Sequence, residues 1–228
     1  MGISDDAREI TRVRRSKEKA RETYDRIAPY YQAIAGFWER RTRRRGLARL
    51  DIQAGETVLE IGSGPGHSMV SLASDVGQRG KVWGIDLSFR MCRIAQDRLR
   101  THDLLEWGQL ICGDGAQLPF RAASFDALFT SFTLELFDTP EIPRVLAECK
   151  RVLRGSGRIC VVSLAKPEDF YPLVPLYEWA HKQFPRLLDC RPIYTQRSLG
   201  EAGFQTLDTE RLLLWGLPVD IVLATTPT

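Results

Sequence analysis

Short apolar runs and amphipathic runs alternate through the middle of the chain. Runs of strand length stand at 57–61, 81–85, 108–112, 125–130 and 157–163. Over 66–76, 88–100 and 140–153, apolar residues recur every three or four positions, the period of a helix with one buried face. The last of these is the best signalled. Asp138 and Thr139 stand where a helix is capped, Pro140 suits its first turn and Gly155 closes it. Its stripe is Ile142, Val145, Leu146, Cys149, Val152 and Leu153. Strands alternating with helices predict an α/β domain, a mainly parallel sheet covered on both faces. Two final runs, 207–214 and 219–225, are joined by Trp215-Gly216-Leu217-Pro218, which predicts an antiparallel hairpin at one end of the sheet. Upstream, Ile10, Val13, Lys17, Ala20, Tyr24 and Ile27 predict a helix over 8–28 that Pro29 ends. A second helix is expected over 37–50. No internal repeat or low-complexity tract interrupts the pattern.

Composition narrows the class. The chain has 228 residues, 43% hydrophobic and 27% charged, enough for one well-buried domain. No run is long and apolar enough to span a membrane, and the charged N-terminus lacks the apolar core of a signal peptide. Five cysteines (Cys92, Cys112, Cys149, Cys160, Cys190) form no CxxC pair, so a cytoplasmic location is expected and no metal site. The net charge of +3 is unevenly placed, because residues 1–50 carry most of the excess, with Arg40, Arg41, Arg43, Arg44 and Arg45 in one run. Such a run reads either as solvated helix faces or as a surface for anionic lipid or nucleic acid.

The candidate chemistry begins at Val58–Ser68, "VLEIGSGPGHS". Here an apolar strand ends in an acid, Glu60, and breaks into Gly62, Gly64 and Gly66. In a doubly wound sheet, ligands bind beyond the carboxyl ends of the strands. A phosphate-binding P-loop would need Lys-Ser/Thr after the glycines, where His67-Ser68 stands. A dinucleotide fingerprint would need a glycine at 67. The remaining reading is an S-adenosylmethionine loop. Asp86, twenty residues after Gly66 at the end of the second strand, can accept from both ribose hydroxyls, or simply cap the helix that starts at Ser88. After the third strand, "CGDGAQLPF" sets Asp114 among Gly113, Gly115 and Ala116. An acid there can accept from an adenine amino group, although a lone Gly-Asp-Gly is commonly a turn.

With these elements in order, the sequence resembles the class I S-adenosylmethionine-dependent methyltransferases. The matching blocks are "VLEIGSGPG", "GIDLS", "GDGAQLPF", "SFDALFTSFTLELF" and "ECKRVLRGSGRICVVSLAKP", covering about 58–167, with "LGEAGF" at 199–204. Within that family it looks nearest to the ubiquinone/menaquinone-biosynthesis type. The resemblance implies a Rossmann-like three-layer sandwich with a seven-stranded sheet over 51–228. It also implies a helical cap over 1–50 and a substrate-pocket insert at about 166–194. S-adenosylmethionine would be the cofactor and S-adenosylhomocysteine the product.

The resemblance further implies roles for particular residues. Glu60, Gly62, Ser63, Gly64 and Gly66 would orient the methionine end. Asp86 and Leu87 would take the ribose, and Gly113, Asp114, Gly115 and Ala116 the adenine. Ser131 and Phe132 would stand near the methyl, while Tyr24 and Tyr31 either cap the site or only pack. Two departures stand out. Gly155-Ser156-Gly157 replaces Pro-Gly-Gly, and Ser131-Phe132-Thr133-Leu134 stands where nitrogen methyltransferases carry Asn/Asp-Pro-Pro-aromatic. The second counts against nucleic acid as partner.

Three histidines were weighed as general base. His67, at a helix start, should have its pKa depressed by the dipole; His102 lies in a polar turn; His181, in the insert, is the catalytic candidate. The insert is rich in Phe170, Tyr171, Leu173, Val174, Leu176, Tyr177 and Trp179. It either packs on the sheet or lines the pocket of an apolar, quinone- or lipid-like acceptor met at a membrane surface. A nucleic-acid methyltransferase and a non-catalytic cofactor-binding protein are the alternative readings. Homo-oligomers are compatible with either.

Overall fold

A computed structural model describes residues 12, 13, 15–34, 39–167, 171, 173–183 and 190–227. Its strands are β1 (Thr57–Ile61), β2 (Lys81–Asp86), β3 (Gly108–Cys112), β4 (Phe125–Ser131), β5 (Leu153–Leu164), β6 (Gln205–Leu214) and β7 (Leu217–Thr225). Its helices are α1 (Lys17–Ile34), α2 (Arg40–Leu50), α3 (His67–Val76), α4 (Phe89–Thr101), α5 (Ile142–Val152), α6 (Leu173–Gln183) and α7 (Thr195–Glu201). All seven strands form one sheet in the order β3-β2-β1-β4-β5-β7-β6. Pairing is parallel from β3 to β5, and β7 runs antiparallel to both β5 and β6. The expected mainly parallel sheet with a terminal hairpin is therefore present.

Period-two alternation divides the core between the faces. Leu59, Ile61, Leu128, Ile159 and Val161 meet Val145, Leu146 and Cys149 of α5 and Leu199 of α7 on one face. Val58, Val82, Phe129, Cys160 and Val162 meet Leu50 of α2 and Met69, Leu72 and Val76 of α3 on the other. Helix α2 lies close to the sheet because Gly46 has no side chain; an added Cβ would sit 2.6 Å from Val162 Cγ2.

The N-terminal region departs from the sequence reading in two ways. First, the helix begins at Lys17. Residues 12, 13, 15 and 16 are not helical, and residues 1–11 and 14 lie outside the described residues. The cause is Asp138, whose carboxylate takes the Arg12 guanidinium (2.6 Å) and the Val13 N–H (2.9 Å), drawing that segment onto the β4–α5 connection. Second, Pro29 does not end α1, which continues to Ile34. Proline withholds the N–H that would bond the Asp25 carbonyl. That carbonyl accepts from Arg90 Nη1 of α4 instead, at 3.3 Å, so the break in the ladder is repaired from outside.

At the other end of the sheet, Arg158 of β5 ties down the C-terminus of α2. Its Nε donates to the Leu50 carbonyl (2.6 Å) and Nη2 to the Asp51 carbonyl (2.8 Å), while the same guanidinium pairs with Glu56. It thus satisfies carbonyls that a helix end leaves without partners. Arg158→Met should cost about 1–3 kcal/mol, because those carbonyls are only partly solvated. A urea unfolding midpoint unchanged from the parent protein would exclude this role.

Candidate functional site

Strands β1 and β4 are neighbours, but their chains leave to opposite faces, into α3 and toward α5. A crevice opens between their carboxyl ends, the switch point of the sheet. A cavity fills it. Glu60 to Pro65 line it from β1, Asp86 and Leu87 from β2, Gly113 to Gly115 from β3, and Ser131 to Thr133 from β4. Val13, Lys17, Ala20 and Tyr24 roof it from the N-terminal side, joined by Glu39 and Arg43 of α2.

The three glycines serve three different purposes. All have positive φ (72°, 49° and 79°), which side chains tolerate poorly. A Cβ at Gly62 would meet Thr133 Oγ1 at 2.1 Å, so this glycine lets the β1 and β4 loops touch. A Cβ at Gly66 would meet Ala95 Cβ at 2.7 Å, so that one lets α3 start against α4. At Gly64 nothing lies within 4 Å, and the bare backbone faces open space in the cavity.

Asp86 holds this loop in place. Its Oδ2 accepts from Gly64 N (2.8 Å) and its Oδ1 from Ser88 N (2.8 Å). Burial pushes its carboxyl up to about 6 despite those two N–H donors. The cap on α4 is supplied by Ser88, whose Oγ accepts from Met91 N at 3.0 Å. Asp86 therefore ties the glycine loop to the start of α4, while the side-chain cap itself comes from Ser88.

Glu60 is 2% exposed. Burial pushes its carboxyl up to about 8, although a hydrogen bond from Ser68 and the charge of Arg43 favour ionisation. Its Oε2 has no partner, and neither have the buried hydroxyls of Ser63 and Ser131. All three line the same cavity. Buried polar atoms are ordinarily satisfied, so three orphans on one wall mark a place where a polar ligand supplies the missing bonds. The donor set fits S-adenosylmethionine: acids for ammonium and hydroxyl groups, small residues around a flat ring, and no cradle for a pyrophosphate.

Asp114 is already engaged. Its Oδ1 accepts from Ala116 N (2.9 Å), and its Oδ2 pairs with Lys17 Nζ (2.6 Å), which also reaches Glu141 (2.6 Å). Ala116 itself is buried beneath the wall. Phe132 holds φ at +50°, an uncommon conformation for an aromatic residue, while its N–H donates to the Val162 carbonyl at 2.8 Å. Of the two candidate tyrosines, Tyr24 lines the cavity; the side chain of Tyr31 lies outside the described residues.

Of the three histidines, only His181 departs from its expected place. His181 is buried on α6 and does not line the cavity, nor does any other described residue of 166–194. His102 is exposed after α4. His67 does line the cavity and is held down to about 4, but by burial first and then by Arg98 and Arg43, the helix dipole not being needed. It is neutral at pH 7.

Sequence reading missed Thr133, Glu39, Arg43 and Lys17 on the cavity wall. It also missed Glu135, a fully buried carboxyl behind the β4 loop that burial pushes up to about 8. Only Glu135 left a signal, an acid inside the apolar run "FTLELF".

The strand order and the acid-lined crevice define a doubly wound α/β protein that binds an adenosyl ligand. Comparison with known proteins agrees. Residues 58–157 match the family model described as "Methyltransferase domain". A demethylmenaquinone methyltransferase from Lactobacillus johnsonii is 30% identical over 169 residues, 72% of this chain and 68% of that protein. One from Symbiobacterium thermophilum is 27% identical over 234 residues, 90% of this chain and 92% of that protein. Among solved structures, the [4+2]-cyclase SpnF shares the fold with a TM-score of 0.76 at 19% identity, covering 94% of this chain and 98% of that one. The chain belongs to the class I S-adenosylmethionine-dependent methyltransferases, with S-adenosylmethionine as cofactor.

The raised carboxyl of Glu60 gives a stability prediction for the ligand-free protein. A folded value near 8 against an ordinary 4.5 means this carboxyl contributes fully below pH 4.5 and loses that contribution as pH rises through 8. Glu60→Gln should therefore stabilise the free protein at pH 8 by on the order of 2 kcal/mol and change little at pH 4. It should at the same time weaken cofactor binding. Melting curves that shift equally at both pH values would refute the assignment.

Proposed function

We propose that the enzyme methylates a small apolar, quinone-like acceptor. The observation that carries this reading is the similarity to demethylmenaquinone methyltransferases along 72–90% of the chain. The cavity is consistent with it. Beside its acids stand Val13, Phe132, Leu136 and Phe137, an apolar wall suited to a ring system.

In this reading Glu60, with Ser63 and the bare Gly64 backbone, holds the amino-acid end of the cofactor. Asp86 and Leu87 hold the ribose, and Asp114 with Gly113 and Gly115 the adenine. When bound, S-adenosylmethionine supplies a methyl group on a sulfonium, open to displacement by a nucleophile in line. The chain's part is chiefly alignment. Ser131 and Phe132, fixed at the end of β4, define the side from which an acceptor approaches, and a constrained approach can lower a barrier by as much as roughly 7–11 kcal/mol. Residues 1–50 act as a cap: Lys17 and Tyr24 close the adenine side and Arg43 the opposite one. Residues 51–228 form the catalytic domain.

A lipid-like acceptor suits contact with an anionic membrane surface through the basic cap. The available residues there are Arg40, Arg41 and Arg44, because Arg45 pairs with Glu210 (2.5 Å) and Arg49 with Glu210 and Asp208.

Two measurements test the proposal. Purified enzyme with radiolabelled S-adenosylmethionine should label detergent-dispersed demethylmenaquinone and leave tRNA unlabelled; the reverse pattern would overturn the acceptor. Asp86→Ala should weaken S-adenosylhomocysteine binding by about 10- to 100-fold in calorimetry, since it removes charge-assisted bonds and frees the Gly64 loop. Unchanged affinity would remove its role.

A further inference from the structure

Several large apolar side chains left exposed by the fold lie on α6 and at the β6–β7 turn. Leu173 (42% exposed), Leu176 (59%) and Trp179 (57%) lie on α6, and Leu213 (61%) and Trp215 (63%) lie at the β6–β7 turn. Helical spacing explains the first three. Val174, Tyr177 and His181 point α6 inward, which leaves Pro175, Leu176 and Trp179 on the opposite face and Leu173 at its edge, all exposed and uncharged among the described side chains. Leu173 joins this face to the hairpin. It packs on Gly216 so closely that an added Cβ would stand 2.6 Å from Leu173 Cδ1.

The hairpin turn makes the exposure of Trp215 unusual. Residues 215 and 216 are the whole loop between Leu214 and Leu217, and both have positive φ, 52° and 80°. A two-residue turn of this kind favours Asn-Gly, because the first position strains any larger side chain. Tryptophan there bears that strain, on the order of 1 kcal/mol, with most of its ring surface exposed. Strain held at an exposed aromatic tip points to a use for the tip.

We infer that the α6 face and the Trp215 turn are a membrane-docking surface that inserts into the interfacial layer of an anionic bilayer. Charge favours a lipid surface as the occupant. Three carboxylates among the described residues nearby are paired within the fold: Glu178 with Lys166 (3.1 Å), Asp220 with Arg211 (2.6 Å) and Glu210 with Arg45. Arg41 stands one helical turn above Arg45 on the same side of α2, toward this end of the sheet, and is exposed. Two tryptophans with leucines between, bordered by arginine, is the composition of an element that lies in a headgroup layer. A stable dimer would need more, roughly 20–30 residues and about 800 Å² on each side. The surface also sits at the carboxyl end of β5 and β6, the end at which the cavity opens. Docking there would set the cavity beside the membrane. The inference deepens the reading of a lipid-like acceptor and rests on it for its purpose.

The test is flotation of the full chain with vesicles of phosphatidylglycerol and phosphatidylcholine, some carrying brominated acyl chains. The parent protein should float and its tryptophan emission should be quenched by the bromines. The double variant Trp179→Ser/Trp215→Ser should partition at least about tenfold less. It should also keep its S-adenosylhomocysteine affinity, which shows that it is folded. Leu176→Asp alone should act in the same direction. No flotation at low salt, equal flotation of parent and variants, or a parent dimer that the substitutions dissociate would each overturn the proposal. Methyl transfer to a water-soluble short-chain hydroquinone is the separate control. Its failure alongside normal flotation would overturn the acceptor and leave the docking surface standing.

Discussion

Everything in the site depends on one constraint, the divergence of the chain between β1 and β4. Two parallel strands hydrogen-bonded side by side must send their next segments to opposite faces, since α3 and α5 each bury a stripe against a different side of the sheet. Neither helix then covers the two carboxyl ends. Glu60 and Ser131 stand at that gap with polar atoms that the fold itself leaves unpaired. Their lack of partners follows from the topology and leaves them open to a ligand.

The loops that border the gap are braced so that it keeps its shape. Gly62 lets the β1 loop press on Thr133, and Asp86 holds Gly64 through its N–H. A carboxylate that seems free to receive a ligand is thereby already working within the protein. The same is true of Asp114, which fixes its own turn through Ala116 and anchors α1 through Lys17. Each acid has lone pairs to spare, so structural and ligand bonds need not compete. Pre-organisation arises because the groups that will bind are first used to hold one another.

This also explains what could be read from the sequence. The strands, the central helices and the hairpin were legible because burial of a sheet imposes short-range periods. Glu60, Asp86 and Asp114 were legible because each stands at the carboxyl end of its own strand: Glu60 within β1, Asp86 closing β2 and Asp114 just after β3. What escaped was set by contacts distant in sequence. Pro29 signals a helix end, yet Arg90 supplies the partner that its neighbour's carbonyl needs. Residues 12–16 carry helical spacing, but Asp138, more than a hundred positions away, takes their donors. His181 seemed well placed because its segment is apolar and lies in the insert. Only the packing of α6 shows that it turns toward the sheet and away from the cavity wall.

The cap differs in kind from the domain it closes. Among the described side chains of residues 12–28 none belongs to either apolar cluster, and only Ala28 is buried. That segment is held mainly by polar contacts at the surface: Arg12 to Asp138, Lys17 to Asp114 and Glu141, and Asp25 to Ser88 (2.6 Å). Partly exposed ion pairs are worth about 0–1 kcal/mol each, whereas a buried leucine or valine contributes roughly 1.5–3 kcal/mol. Local opening follows the weakest set of contacts, so the roof can lift at a small fraction of the cost of disturbing the sheet. Entry of a ligand from the roofed side therefore requires no change in the core.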